Sequence, residues 1–284
     1  MNRLCGLLLL VLVHLPIQAA QAESAIVEKP LEIGVVPYIS ARVLVGSYEP
    51  LRQYLERALG RQVKLYSANS FKLFYENARR GDYDLVITAA HFARLLQKDD
   101  QFTPLARFTA GGRGLILTTS TSTLNSIQKL RGQHIAIPDP LSLASIVCLT
   151  YLRENGLKAD TDFKILEVPS FMSAILSVQQ GEAQAAVTAA GALAQMPRAL
   201  QESMKTLADA GEFTSLIFLA HPRLAVAKRE LLKNELLKFS ANSNEGKHFF
   251  GSTGFGSLVP VTSSDMARLD RYSSETRRLL EATP

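Results

Sequence analysis

Two copies of one short pattern carry the residues best placed to hold a ligand. Gly81-Asp-Tyr-Asp-Leu-Val-Ile-Thr-Ala-Ala-His-Phe-Ala-Arg-Leu-Leu96 returns one hundred positions later as Gly181-Glu-Ala-Gln-Ala-Ala-Val-Thr-Ala-Ala-Gly-Ala-Leu-Ala-Gln-Met196. Each copy reads as a helix stopped by glycine, a short apolar strand (Leu85 to Ile87, Ala185 to Val187), and a new helix opened by Thr-Ala-Ala. A helix start leaves backbone N–H groups free and carries the positive end of the helix dipole. Thr88, Thr188 and His91 add side-chain polar groups there, and the alanines let a ligand approach the backbone. The same logic applies to Ser142 and Ser145 at the entry to a helix, where a hydroxyl beside free N–H groups forms an anion seat. Ser70 and Ser170 read as N-caps of two further helices.

Capture fits these residues better than catalysis does. The chain has no Gly-x-Ser-x-Gly elbow, no His-Glu-x-x-His and no phosphate loop ending in Gly-Lys-Ser or Gly-Lys-Thr. His91, His134, His221 and His248 are too far apart to suggest metal-ligand spacing. No catalytic residue, metal site or cofactor is therefore expected. Arg42, Arg107 and Arg113 are weaker candidates for an anion partner. A net charge of +5 spread over 284 residues, without a basic block, gives no nucleic-acid footprint.

The amino-terminal stretch reads as a secretory signal peptide, residues 1–22: Arg3, an apolar run from Leu4 to Val13, Pro16, and the small-residue site Ala20-Gln21-Ala22. Ten apolar residues are too few for a bilayer span, which needs about 20. Cleavage after Ala22 predicts a soluble periplasmic or extracellular chain and removes Cys5, which is not placed as a lipid-attachment cysteine. Cys148 then remains alone in the apolar run Ile146-Val147-Cys148-Leu149, which excludes an intrachain disulfide and favours a buried, inert thiol.

The elements that must position these residues alternate. Leu31 to Val36 is a strand, Val43 to Leu59 a helix stopped by Gly60, Val63 to Tyr66 a strand, and Asn69-Ser70 caps a helix running to Arg80. After a strand at Phe102 to Phe108, Thr109-Ala-Gly-Gly-Arg-Gly114 marks a flexible crossing. His134 to Ile137, the helix entered at Asp139-Pro-Leu-Ser-Leu-Ala-Ser145, Phe163 to Val168 and the helix capped by Ser170 repeat the alternation. Phe213 to Ala220 is read as the return crossing, Lys228 to Phe239 as a packing helix, and Ser263 to Leu280 as a charged final helix. The expected fold is α/β with two similar lobes, each a mostly parallel sheet flanked by helices, joined by two hinge crossings around a cleft. Lobe 1 comprises 23–112 and 218–284, and lobe 2 comprises 113–217. Tyr38, at the end of the first strand, then faces the cleft.

Several stretches together resemble the phosphate/phosphite/phosphonate-binding members of the type II periplasmic solute-binding proteins, the receptors of ABC importers. These are Gly34-Val-Val-Pro37, Tyr48-Glu-Pro-Leu-Arg-Gln-Tyr-Leu-Glu-Arg-Ala-Leu-Gly60, Gly81-Asp-Tyr-Asp-Leu85, and Leu130-Arg-Gly-Gln-His-Ile-Ala-Ile-Pro-Asp-Pro140 followed by Ser142 and Ser145. The resemblance spans about Leu31 to Leu258. It implies a ligand held between lobes by helix N-termini and hydroxyls, with the turn from Ser142 to Ser145 supplying oxyanion donors. The chain departs from the family at Phe71, where an aromatic hydroxyl is usual, at Phe171, where histidine is common, and at Thr188-Ala189-Ala190, which lacks an acid for a ligand amine. The pocket is thus expected to favour a phosphate- or phosphonate-type oxyanion or a partly apolar anion over an amino-phosphonate. Its candidate lining is Tyr38, Ser70, Phe71, Thr88, His91, Ser142, Ser145, Ser170, Phe171 and Thr188. Expected partners are a small-molecule anion and the permease of an ABC importer, with the chain a monomer. The alternatives are signalling to a membrane sensor kinase or an exported enzyme on the same fold.

Overall fold

The computed structural model describes residues 28–39, 41–194 and 196–282; the expected signal segment lies outside them. The chain opens with β1 (Leu31–Val35), α1 (Ala41–Leu59), β2 (Val63–Tyr66), α2 (Phe71–Arg80), β3 (Leu85–Ala89), α3 (Ala90–Asp99) and β4 (Thr103–Phe108). In α1 the buried residues Leu44, Tyr48, Leu51 and Leu55 recur at helical spacing and form one stripe against the sheet. α2 ends at Gly81, whose φ of 83° is the left-handed cap conformation that a side chain disfavours. Gly181 makes the matching turn at φ 79°.

β5 (Gly112–Thr119) begins the second half, followed by a 3-10 turn (Ile127–Leu130), β6 (His134–Ile137), α4 (Leu143–Glu154), β7 (Lys164–Glu167), α5 (Phe171–Gln179), β8 (Ala185–Ala189), α6 (Ala190–Ala194), α7 (Arg198–Glu202) and β9 (Met204–Phe213). The chain returns through β10 (Leu216–Ala220), then α8 (Val226–Asn242), α9 (Asn244–Thr253), β11 (Leu258–Pro260), α10 (Ser263–Ala267) and α11 (Asp270–Ala282).

These strands form two sheets flanked by helices, ordered β11-β4-β10-β3-β1-β2 and β7-β6-β8-β5-β9. Each is mixed. The triplets β2-β1-β3 and β7-β6-β8 are parallel, as the strand and helix alternation predicts. β10 runs antiparallel to β3 and β4, and β5 antiparallel to β8 and β9. β5 and β10 are the strands entered from the two crossings, at residues 109–111 and 214–215, and the edge strand β11 also runs antiparallel to β4. A strand entered directly from the other sheet needs no helical crossover and is free to run the opposite way.

The single strand expected from Phe213 to Ala220 is therefore two strands broken at Thr214-Ser215, and β9 belongs to the second sheet. The Gly/Ser-rich tail segment contains the end of α9, a left-handed cap at Gly254 and a turn that brings Phe255 onto Phe108, ring centroids 4.3 Å apart. The final charged helix is two helices. α11 packs against both α3 of the first half and α4 of the second. Arg94 and Arg277 pair with Asp270 and Asp99 on the α3 side, while Arg271 pairs with Glu154 and Arg153 donates to Ser274 on the α4 side.

Candidate ligand cleft between the two sheets

The carboxyl ends of β1, β3, β6 and β8 point at one cavity of about 610 Å³, the position at which open α/β sheets bind ligands. Val36, Pro37, Tyr38 and Ile39 leave β1 along one wall; Asn69, Ser70 and Phe71 enter α2 beside them. The facing wall holds Pro138, Asp139, Ser142, Leu143 and Ala144 at the entry to α4, and Pro169, Ser170 and Phe171 at the entry to α5. Ala89 and Ala189 stand at the paired turns, and Phe213, Ser215, Leu216 and Phe255 close the floor at the crossings.

Three helices present serine-capped N-termini to this space. Ser70 Oγ accepts from Leu73 N (3.1 Å), Ser170 Oγ from Ser173 N (3.1 Å) and Ser142 Oγ from Ser145 N (3.3 Å). A capping hydroxyl spends a lone pair on the helix and keeps its hydrogen to donate. Ser145 lies fully buried with its hydroxyl 2.7 Å from Ser142 Oγ, and Ser173 repeats that contact with Ser170 at 2.9 Å. Either hydroxyl of each pair can donate to the other; in the arrangement where Ser145 and Ser173 donate, the Ser142 and Ser170 hydrogens are left for a ligand. The phenol of Tyr38, on the same wall, is pushed up to about 12 by burial and stays protonated, and it donates to the Tyr48 hydroxyl at 3.4 Å.

The structure thus brings Tyr38, Ser70, Phe71, Ser142, Ser170 and Phe171 together. The other four expected candidates stand behind the wall. Thr88 and Thr188 are fully buried, because successive strand residues face opposite ways and Ala89 and Ala189 take the cavity side. Thr188 Oγ1 donates to Ala189 O at 3.3 Å. Ser145 sits one turn inside α4 and reaches only Ser142. His91 is 1% exposed; its Nε2–H donates to Leu141 O (3.1 Å) across from one half of the molecule to the other. Burial pulls this imidazole down to about 3, so it is neutral, and its Nδ1 has no partner. Arg42 is exposed and outside the cavity. Arg107 and Arg113 line a separate groove behind the crossings and pair with Asp265 and Glu212.

Among the described residues, the cavity wall contains no lysine, arginine or histidine. Its acid is Asp139, whose carboxyl burial pushes up, while the Leu141 N–H opposes the shift and Glu167 adds to it. In the sequence Asp139 reads only as a helix entry, and nothing local signals Phe213 and Phe255, which reach the cavity from a crossing and a tail turn. Ser173 was also missed, although its spacing from Ser170 copies that of Ser145 from Ser142. Cys148 is buried against Gly114 and the Leu115 carbonyl, with its thiol pushed up by burial. No group of three or more possible metal-ligating side chains occurs among the described residues.

Two mixed sheets joined by two crossings, with helix N-termini converging on the cleft between them, make the architecture of a type II periplasmic binding protein. The model of the phosphonate periplasmic substrate-binding proteins of ABC transporters matches residues 33–266, and the chain belongs to that family. It is a solute-binding protein of the ABC phosphonate transporter family, a periplasmic family whose members work with a small-molecule ligand and a membrane permease. Among solved structures, XAC2383 from Xanthomonas citri, bound to ATP, superposes with a TM-score of 0.78 at 16% identity over 89% of this chain and 99% of that one. PhnD1 from Prochlorococcus marinus (MIT 9301), in complex with methylphosphonate, gives 0.74 at 15% over 88% and 99%. The periplasmic aliphatic sulphonate binding protein SsuA from Escherichia coli gives 0.62 at 17% over 90% and 94%. At these identities the likeness is one of fold.

Proposed function

We propose that the cleft captures a small organic anion with one charged head and a partly apolar body, and that the chain delivers it to the permease as a periplasmic monomer after removal of residues 1–22. The observation that carries this reading is three serine-capped helix N-termini converging on an aromatic wall with no cationic side chain among the described residues. Helix ends and hydroxyls supply partial positive charge sufficient for a single anionic head. Phe71, Phe171, Phe213 and Phe255 offer apolar surface to the body of the ligand. The two lobes are taken as 23–112 with 218–284, and 113–217, closing on the ligand by rotation about the crossings.

The test is a thermal-shift screen with alkyl and aryl phosphonates, phosphite, phosphate, sulfonates and carboxylates, followed by calorimetry. A ligand specific for the folded state raises the melting temperature with saturation. The double variant Ser142→Ala, Ser170→Ala loses two charge-assisted donors, and its affinity for the best anion falls by a factor of about 100 or more. A shift with no anion, or unchanged affinity in a folded double variant, would remove the serine-capped seat from the site.

A further inference from the structure

We propose that Asp139 determines the specificity of the cleft by accepting a hydrogen bond from the ligand, so that the cargo must carry a donor hydrogen close to its oxyanion. This rests on the anion-capture reading above and narrows it.

The Asp139-Pro140-Leu141-Ser142 turn fixes the carboxyl. The Asp139 backbone carbonyl accepts from Ser142 N (2.9 Å), and Oδ1 accepts from Leu141 N (2.8 Å). One carboxylate oxygen is thereby committed to the turn. For the other, Oδ2, no hydrogen-bond partner is seen among the described residues. The residue lies on the cavity wall three positions before the hydroxyl that caps α4.

A carboxylate in this position conflicts with a bare anion. An oxyanion drawn to the helix-start N–H groups of Leu143 and Ala144 and to the Ser142 hydroxyl shares this wall with the Asp139 carboxyl, and no lysine, arginine or histidine among the described wall residues neutralises the pair. Two like charges in a partly desolvated cleft repel strongly. One hydrogen between them replaces the repulsion with a short charge-assisted bond. With the Asp139 carboxyl ionised, two ligand chemistries bring that hydrogen: the acid hydroxyl of a phosphonate monoanion, or an ammonium on the ligand body. A simple alkyl sulfonate brings neither.

Four ligands sharing a two-carbon body separate these sources in one mildly acidic buffer: ethylphosphonate, 2-aminoethylphosphonate, ethanesulfonate and 2-aminoethanesulfonate. Calorimetry on the mature chain is expected to place ethanesulfonate at least about tenfold below the best donor-bearing ligand, the range set by one hydrogen bond to a charged group. Asp139→Asn replaces the lone acceptor with an amide that donates and can still accept from Leu141 N. Ethanesulfonate is expected to gain at least about tenfold in that variant while the donor-bearing ligands weaken. Binding of ethylphosphonate without 2-aminoethanesulfonate assigns the donor to the acid hydroxyl, and the reverse assigns it to the ammonium. Asp139→Ser, which also retains a turn acceptor, is the second variant if the amide unfolds the helix entry. Equal wild-type affinity for all four ligands, or an unchanged ranking in a folded variant, would overturn the role of Asp139 and leave the anion cleft standing. Binding of none of the four would overturn both.

Discussion

Ser142 caps α4 through its Oγ, and the proposed anion seat gives the same hydroxyl a second role that one substitution separates from the first. Ser142→Asp keeps a capping oxygen and places a second negative charge in the seat. We expect the melting temperature to stay within about 2 °C, the scale of a few tenths of a kcal/mol in a chain of this size, while anion binding is abolished. Loss of both together in calorimetry and melting would mean that the hydroxyl serves only the helix. Cys148 offers a second check at this scale: buried and pushed up, its thiol is expected to resist a thiol reagent at mildly alkaline pH until the chain is unfolded. Rapid labelling of the native protein would contradict the burial. Serines before helices were legible in the sequence because capping is local chemistry. The position of Thr88, Thr188 and His91 relative to the cavity was not legible, because a repeat identifies a turn without fixing which strand residues or which helix face meet it.

At the scale of elements, the crossings carry the cleft floor. The Phe213 ring lies where a side chain on Gly112 would project, 2.2 Å from an added Cβ, and Phe213 lines both the cleft and the groove behind it. Gly112→Ala therefore has to displace this ring. The expected result is a melting temperature lower by a few degrees, from overpacking of about 1–3 kcal/mol, together with an altered affinity for ligands that have an apolar body. Unchanged ligand ranking in this variant would separate the floor from recognition. The parallel triplets and their helices were readable from hydrophobic alternation and glycine stops. β9 was not, because Lys205, Asp209, Gly211 and Glu212 dilute its apolar pattern and its partner β5 lies about ninety residues away.

For the whole molecule, α11 alters the simple hinge expected from two crossings, because its ion pairs and buried Leu279 and Tyr272 tie it to both α3 and α4. Arg94 and Lys98 hold the Asp270 carboxyl at about 2, below its ordinary 3.8, and Arg277 lowers Asp99 in the same way. A carboxylate with a lowered folded-state value contributes stability above its ordinary value and loses it as pH falls through the folded value. Acidification from about pH 4 to pH 2 should therefore free the α3 side of α11 first, read as faster amide exchange in α11 than in the sheets. Asp270→Asn removes that step. It is also expected to widen the difference between ligand-free and ligand-bound scattering profiles, since one constraint on lobe rotation is weakened. Coincident exchange of α11 and the sheets across this range would deny the helix a separate role.

The bridging helix also bears on how the chain acquires its shape. Arg94 and Asp270 are 176 residues apart, Arg277 and Asp99 178, and Arg271 and Glu154 117. Contacts of such long sequence separation form slowly, after local structure has consolidated. α11 follows α3 and α4 in chain order and can dock across both only when they already stand side by side. We therefore expect its docking to be a late, non-local step, checked by α11 amides gaining exchange protection after those of the sheets during refolding.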